Sequence, residues 1–162
     1  MTAVKICGLS DPHMVRVAAE AGADWVGFVL YPKSPRNVLE EAHNLELYAD
    51  LVNFAFELGV ASVALMVDPD ERFVEHVLST AVPNAIQLQG KETPEHVRRL
   101  WQMTYQTCEI WKAAGIGNED ELEALQAFEV DCFLIDAKPA EGADLPGGNG
   151  EVCDWSLLEG FE

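Results

Sequence analysis

The chain has 162 residues, 49% apolar and 23% charged, with 28 acidic against 10 basic side chains and a formal net charge of −18. That length supports one domain with a substantial core, and the balance of residue types is that of a water-soluble globular protein. The acidic excess favours solubility and argues against a nucleic-acid partner, which needs a basic face to meet phosphates; no apolar run approaches the roughly 20 residues of a bilayer span.

The elements follow in order. Residues 4–9 form a β-rich run, entered at once with no basic stretch before an apolar signal region, so a cytoplasmic location is expected. Asp11-Pro12 supplies an N-cap and a proline at the first helical position of a helix running to Gly22. A strand over 25–31 leads into the loop Pro32-Lys33-Ser34-Pro35-Arg36, and a long helical stretch from about residue 39 closes at Leu58-Gly59. A third strand over 62–67 is closed by Asp68-Pro69, with a helix to about Thr80. The fourth strand, 85–89, ends at Gly90, and Thr93-Pro94 caps a helix to about Tyr105. A fifth strand over 109–113 precedes a helix over about 118–128. The sixth, 132–137, runs into a Pro/Gly-rich loop over 138–152, and Asp154-Trp155 signals a last helix start.

Such alternation predicts an α/β fold with parallel strands and helical crossovers. Either an open doubly wound sheet or a (β/α)₈ TIM barrel fits. The first turn, Cys7-Gly8-Leu9-Ser10-Asp11, lacks the G-x-G-x-x-G of a dinucleotide site. Polar residues instead fall at several strand ends (Lys5 and Cys7, Asp68, Gln89, Lys112, Asp136), the pattern by which a barrel assembles its active site. Six of the ten basic residues (Lys5, Lys33, Arg36, Lys91, Lys112 and Lys138) are expected near the carboxyl ends of strands, which points to an anion binding there.

Four segments carry candidate chemistry. Lys5 and Cys7 share a strand face, so the thiol is either a base promoted by a neighbouring ammonium or a small core cysteine beside a snorkelling lysine. Asp136 closes an apolar strand and is either a partly desolvated general acid or an aspartate capping the loop backbone. Arg36, in a proline-framed loop, is either a bidentate carboxylate partner or an ordinary surface arginine. Gly147-Gly148-Asn149-Gly150 is either an anion-approaching backbone loop or a flexible turn. Asp11, Asp68 and Asp154 each precede a helix start and are expected to cap. The cysteines Cys7, Cys108, Cys132 and Cys153 show no CxxC or finger spacing, so reduced thiols and no metal site are expected.

In order and spacing these segments resemble the phosphoribosylanthranilate isomerase family. The resemblance is carried by Lys5-Ile6-Cys7-Gly8-Leu9 and by residues 22–28 (GADWVGF) followed by Ser34-Pro35-Arg36. It continues through Leu65-Met66-Val67-Asp68, Ile86-Gln87-Leu88-Gln89-Gly90, Leu134-Ile135-Asp136-Ala137, the 147–150 glycine cluster and Asp154-Trp155. It implies a (β/α)₈ barrel that performs an Amadori rearrangement of N-(5′-phosphoribosyl)anthranilate in tryptophan biosynthesis without a cofactor. Cys7 would be the general base, Asp136 the general acid and Arg36 the partner of the anthranilate carboxylate. Lys5, Gln89, Gly148 and Gly150 would complete the substrate site. The implied partner is that small molecule alone, with no nucleic acid or membrane, and the protein would be a monomer or homodimer. The rivals are another phosphosugar isomerase or aldolase-type barrel, and a non-catalytic binding module.

The chain departs from the family pattern twice. Gln89 stands where the fourth-strand motif usually has histidine, which is expected to alter the site lining and spare the chemistry. About six βα units are legible in one domain over 1–162, and the glycine-rich phosphate loops that the family places after its seventh and eighth strands do not follow Trp155. The expectation is that a polypeptide ending at Glu162 is inactive and poorly soluble alone. Supplying two further units should restore folding and activity.

Overall fold

The structure is a computed structural model and describes residues 2–39, 44–104, 107–138 and 155–158. Strands β1 (Lys5–Cys7), β2 (Trp25–Val29), β3 (Ala61–Met66), β4 (Ala85–Leu88), β5 (Glu109–Ile116) and β6 (Cys132–Ala137) form one sheet in sequential order. Each pairs in parallel with the next. Between them run α1 (Pro12–Glu20), α2 (Glu46–Glu57), α3 (Glu71–Thr80), α4 (Pro94–Thr104) and α5 (Glu119–Ala124).

The expected elements are present, with shifted ends. Asp11 caps α1 through Met14 N–H at 3.0 Å, and Thr93 accepts from His96 N–H at the head of α4. Asp68 does not cap α3: Asp70 does, accepting from Phe73 N–H at 2.7 Å. Asp68 sits in the left-handed region at φ 46° and accepts instead from Lys91 N–H at 2.6 Å, tying two loops together. The fifth strand is longer than expected, because pairing with β6 continues through Ile116↔Ala137. α5 is shorter and tightens into a 3₁₀ turn over Leu125–Ala127. Asp154 lies outside the described residues, and Trp155–Leu158 is a 3₁₀ turn.

Strand alternation divides the sheet into two faces. Val26, Phe28, Ala64, Met66, Ile86 and Ile110 are fully or almost fully buried beneath the helices. The opposite face carries a second cluster, Val63, Ala85 and Trp111 with Trp25, Cys132 and Leu134. This inner face is concave. Three steps of about 4.8 Å put β2 some 14 Å from β5 in a flat sheet, yet the Trp25 and Trp111 rings meet edge to face with centroids 4.6 Å apart. Lys5 on β1 likewise reaches Gln87 on β4, Nζ to Oε1 at 2.6 Å. Six parallel strands therefore curl into a partial barrel with helices outside. Among the described residues β1 pairs only with β2 and β6 only with β5. Beside β1, Val4, Ile6, Met14 and Val17 are each at least 40% exposed. No described helix is long and apolar enough to cross a membrane.

Candidate active site

The two tryptophans, Val63, Ala85 and Leu134 make an apolar floor to the concave face. Burial holds the Cys132 thiol above its ordinary pKa, helped by the nearby Glu109 and Asp131 carboxylates and opposed by Lys5. That influence of Lys5 reaches from β1 to β6 across the concave face.

Cys7 stands opposite Gly27 in the β1–β2 register. A Cβ built on Gly27 would lie 2.7 Å from Cys7 Sγ, so the missing side chain is the space the thiol occupies. The next residue, Gly8, has φ +83°, a conformation that favours glycine, and a Cβ there would stand 2.6 Å from Arg36 Cδ. Arg36 thus folds back across the β1–α1 turn, with its exposed side chain against Gly8, the residue after Cys7. Ser34 Oγ accepts the Arg36 N–H at 3.2 Å and shapes that loop.

Asp136 shares the inner face with Cys132 and Leu134 by alternation, at the far end of β6. The desolvation expected of it is absent: its side chain is exposed, facing Gly115 across the β5–β6 pair, where there is no side chain to cover it. Its Oδ1 accepts from the Ala137 N–H at 2.8 Å, the backbone bond expected of a loop-capping aspartate.

Lys5 is not aimed at Cys7. Its ammonium donates to Gln87 Oε1, and Gln87 Nε2 donates to Gln89 Oε1 at 2.6 Å. The expected gathering of free cations is also reduced. Lys112 lies on the helix-facing side of β5, almost wholly buried, with Nζ 3.0 Å from Glu92 Oε2 and donating to Gly90 O at 2.9 Å and Ala113 O at 2.8 Å. The geometry at Oε2 is that of an ion pair rather than an aligned hydrogen bond. Lys138 pairs with Glu121, holding that carboxyl below its usual pKa. Arg36, Lys33 and Lys91 are exposed, and so is the paired Lys138. Gly148 and Gly150 lie outside the described residues.

Sequence reasoning missed Gln87 and Glu92, and both left a signal. Gln87 interrupts the apolar run of β4 and is two residues from Gln89, hence on the same face. Glu92 is an acid buried just after a strand, where only a paired carboxylate is tolerated; its Oε1 accepts from Asp68 N–H and Gly90 N–H, each at 3.0 Å. No group of three or more described His, Cys, Asp or Glu residues could hold a metal ion.

Comparison with known proteins bears on this arrangement directly. Residues 4–162 match the family model described as N-(5′-phosphoribosyl)anthranilate (PRA) isomerase. A relative of that name from Hyphomonas neptunium is 44% identical over 99% of this chain and 72% of its own length. One from Brucella canis is 38% identical over 98% of this chain and 69% of its own. The crystal structure of phosphoribosyl anthranilate isomerase from Thermotoga maritima superposes with a TM-score of 0.76 at 33% identity, over 98% of this chain and 70% of that one. A structure of the enzyme in complex with reduced 1-(o-carboxyphenylamino)-1-deoxyribulose 5-phosphate gives 0.72 at 30% identity, over 98% and 69%. With the curled parallel sheet and the inward cysteine, these matches place the chain in the N-(5′-phosphoribosyl)anthranilate isomerase family.

Proposed function

We propose that this chain catalyses the Amadori rearrangement of N-(5′-phosphoribosyl)anthranilate, an aldose–ketose isomerisation in tryptophan biosynthesis. Cys7 is the general base and Asp136 the general acid. The observation that carries the reading is the seating of the Cys7 thiol in the space left by Gly27, with Arg36 lying over the adjacent Gly8. A thiol and a guanidinium on one turn can meet the sugar C2′ and the anthranilate carboxylate of one substrate.

The chemistry needs two proton transfers. The Asp136 carboxyl gives a proton to the furanose ring oxygen as the C1′–O bond breaks, and the anilino nitrogen lone pair forms the C1′=N bond of a Schiff base. The Cys7 thiolate then takes the proton from C2′, and those electrons make the enolamine, which tautomerises to the ketone. Exposure lets Asp136 recover its proton from solvent. Arg36 neutralises a carboxylate charged throughout the reaction, so it aids binding more than the chemical step. Lys5 lies beneath the sugar and Gln89 at the rim of the concave face, and Gly148 and Gly150 are assigned to the same substrate site. Among the described residues the one-sided pairing of β1 and β6 and the exposure of Ile6 and Met14 fit a barrel completed by further βα units, which would also provide backbone N–H groups for the phosphate.

The test follows conversion of freshly prepared phosphoribosylanthranilate by this protein with the completing units supplied in cis. Cys7→Ser and Asp136→Asn should each lower kcat by about 10²–10⁴-fold, the usual worth of a general acid or base. Near-normal turnover in either variant refutes its role.

A further inference from the structure

We infer that Lys5 and Gln87 are positioning residues that fix the polarity of Gln89, so that Gln89 offers substrate a permanent, non-titrating N–H donor. The inference rests on the functional reading above for the identity of the ligand. The direction of the hydrogen bonds stands independently of it.

Lys5 sets the order. An ammonium has three donors and no acceptor, so the Gln87 atom 2.6 Å from Nζ must be the amide oxygen. The reverse orientation would face an NH₂ against an NH₃⁺ at contact distance. With its oxygen committed, Gln87 turns its amino group towards Gln89. That group can only donate, so the Gln89 atom 2.6 Å away must be the oxygen. Amide orientation is ordinarily ambiguous, because the oxygen and nitrogen have the same shape. Here one charged terminus settles both amides in turn.

Burial makes the ordering strict. Gln87 is only 5% exposed, so water cannot compensate a reversed amide. Gln89 is half-buried at the end of β4, and its Nε2 donates to no described residue. The relay therefore ends in an unspent donor at the rim of the concave face that holds Cys7. Such a group takes an acceptor, a sugar oxygen or a carboxylate, and rejects the substrate's anilino N–H.

A histidine at this place would behave differently. Neutral imidazole can accept from Gln87 through one nitrogen and donate to ligand through the other. Imidazolium has two donors, and one of them would face the Gln87 amino group. The relay thus opposes protonation, and glutamine gives the same donor with no dependence on pH.

The experiment measures binding of reduced 1-(o-carboxyphenylamino)-1-deoxyribulose 5-phosphate between pH 5.5 and 8 to the protein described above. Each variant is compared with the wild type at the same pH, which cancels titration of the ligand. Gln89→His should bind within a few-fold of wild type across this range, because the relay keeps its imidazole neutral and its second nitrogen donating to the ligand. Gln89→Glu, which offers only acceptors, should bind at least about tenfold more weakly throughout. Side-chain amide hydrogen exchange by NMR reads the relay without ligand. The Gln87 NH₂ should be protected and the Gln89 NH₂ fast, and Lys5→Met should remove the Gln87 protection while the backbone amides of β4 keep theirs.

A Gln89→His variant whose binding relative to wild type shifts with pH, an unaffected Gln89→Glu, or protection of the Gln89 amide rather than that of Gln87 overturns the inference. A wild type that fails to bind the ligand while the exchange pattern holds refutes the functional reading and leaves the relay standing.

Discussion

Replacing Lys112 by methionine tests how the loops at the cavity mouth are held. The side chain keeps most of its length and loses the charge. Glu92 is then left with its carboxylate buried and its Oε2 without the ammonium at 3.0 Å. The carbonyls of Gly90 and Ala113 lose their donor as well. Breaking a buried pair from one side costs about 3–5 kcal/mol, which in a chain of this size lowers Tm by about 6–20 °C at about 2–4 °C per kcal/mol. The second substitution makes the test specific. Adding Glu92→Gln removes the stranded charge but keeps a carbonyl oxygen for the N–H groups of Asp68 and Gly90, which Oε1 now accepts. The double variant should therefore regain about 2 kcal/mol over Lys112→Met alone. Glu92→Leu with Lys112→Met should not, because both backbone donors stay buried and unmet. Thermal and urea unfolding of the three variants decide the matter. A loss below about 1 kcal/mol for Lys112→Met, or equal recovery by glutamine and leucine, refutes the reasoning.

Other expectations follow from the same geometry. Gly27→Ala puts a methyl 2.7 Å from Cys7 Sγ; it should displace the thiol and lower kcat by about 10–10²-fold with the strand intact, and unchanged turnover in the steady-state assay would be contrary. Arg36→Ala should raise KM more than it lowers kcat, so a pure kcat defect would assign Arg36 to the chemical step instead. Burial, reinforced by Asp131 and Glu109, pushes the Cys108 thiol up to about 11 from an ordinary value near 9. The unfolded thiol ionises first, so this contribution to stability is fully present below pH 9 and lost as pH rises through about 11. Tm measured from pH 8 upward should fall more steeply for the wild type than for Cys108→Ala, and parallel curves would exclude the effect.

The strands and caps were legible because their signals are local. Asp11-Pro12 and Thr93-Pro94 carry a cap and a helix start within two residues, and period-two alternation assigns each strand its inner set. The relay was not legible, because Lys5 and Gln87 are 82 positions apart and meet only after the sheet curls. Lys112 misled for a related reason. Its alternation with Ile110 points it at the helices, but nothing nearby announces that Glu92 will be waiting there. Asp68 and Asp70 compete for one cap, and the left-handed conformation of Asp68 decides in favour of Asp70. For Asp136, a carboxylate closing an apolar strand resembles a buried group only while the flanking residue is assumed to have a side chain, and Gly115 has none.

The sequential strand order has a consequence for how the chain acquires its shape. Lys5 pairs with Trp25, Trp25 with Ala61, Val63 with Ala85, Ala85 with Glu109 and Trp111 with Cys132. Every strand thus meets a partner made one βα unit earlier, and none of these pairs waits for a distant segment. Short sequence separation lowers the loop-closure cost and speeds folding, so the sheet can grow in the direction of synthesis as each unit docks on the last. Each stage also presents one fresh, unpaired edge, the surface on which partly made chains associate. With 28 acidic side chains against 10 basic ones, nascent copies repel one another during the interval in which that edge is bare.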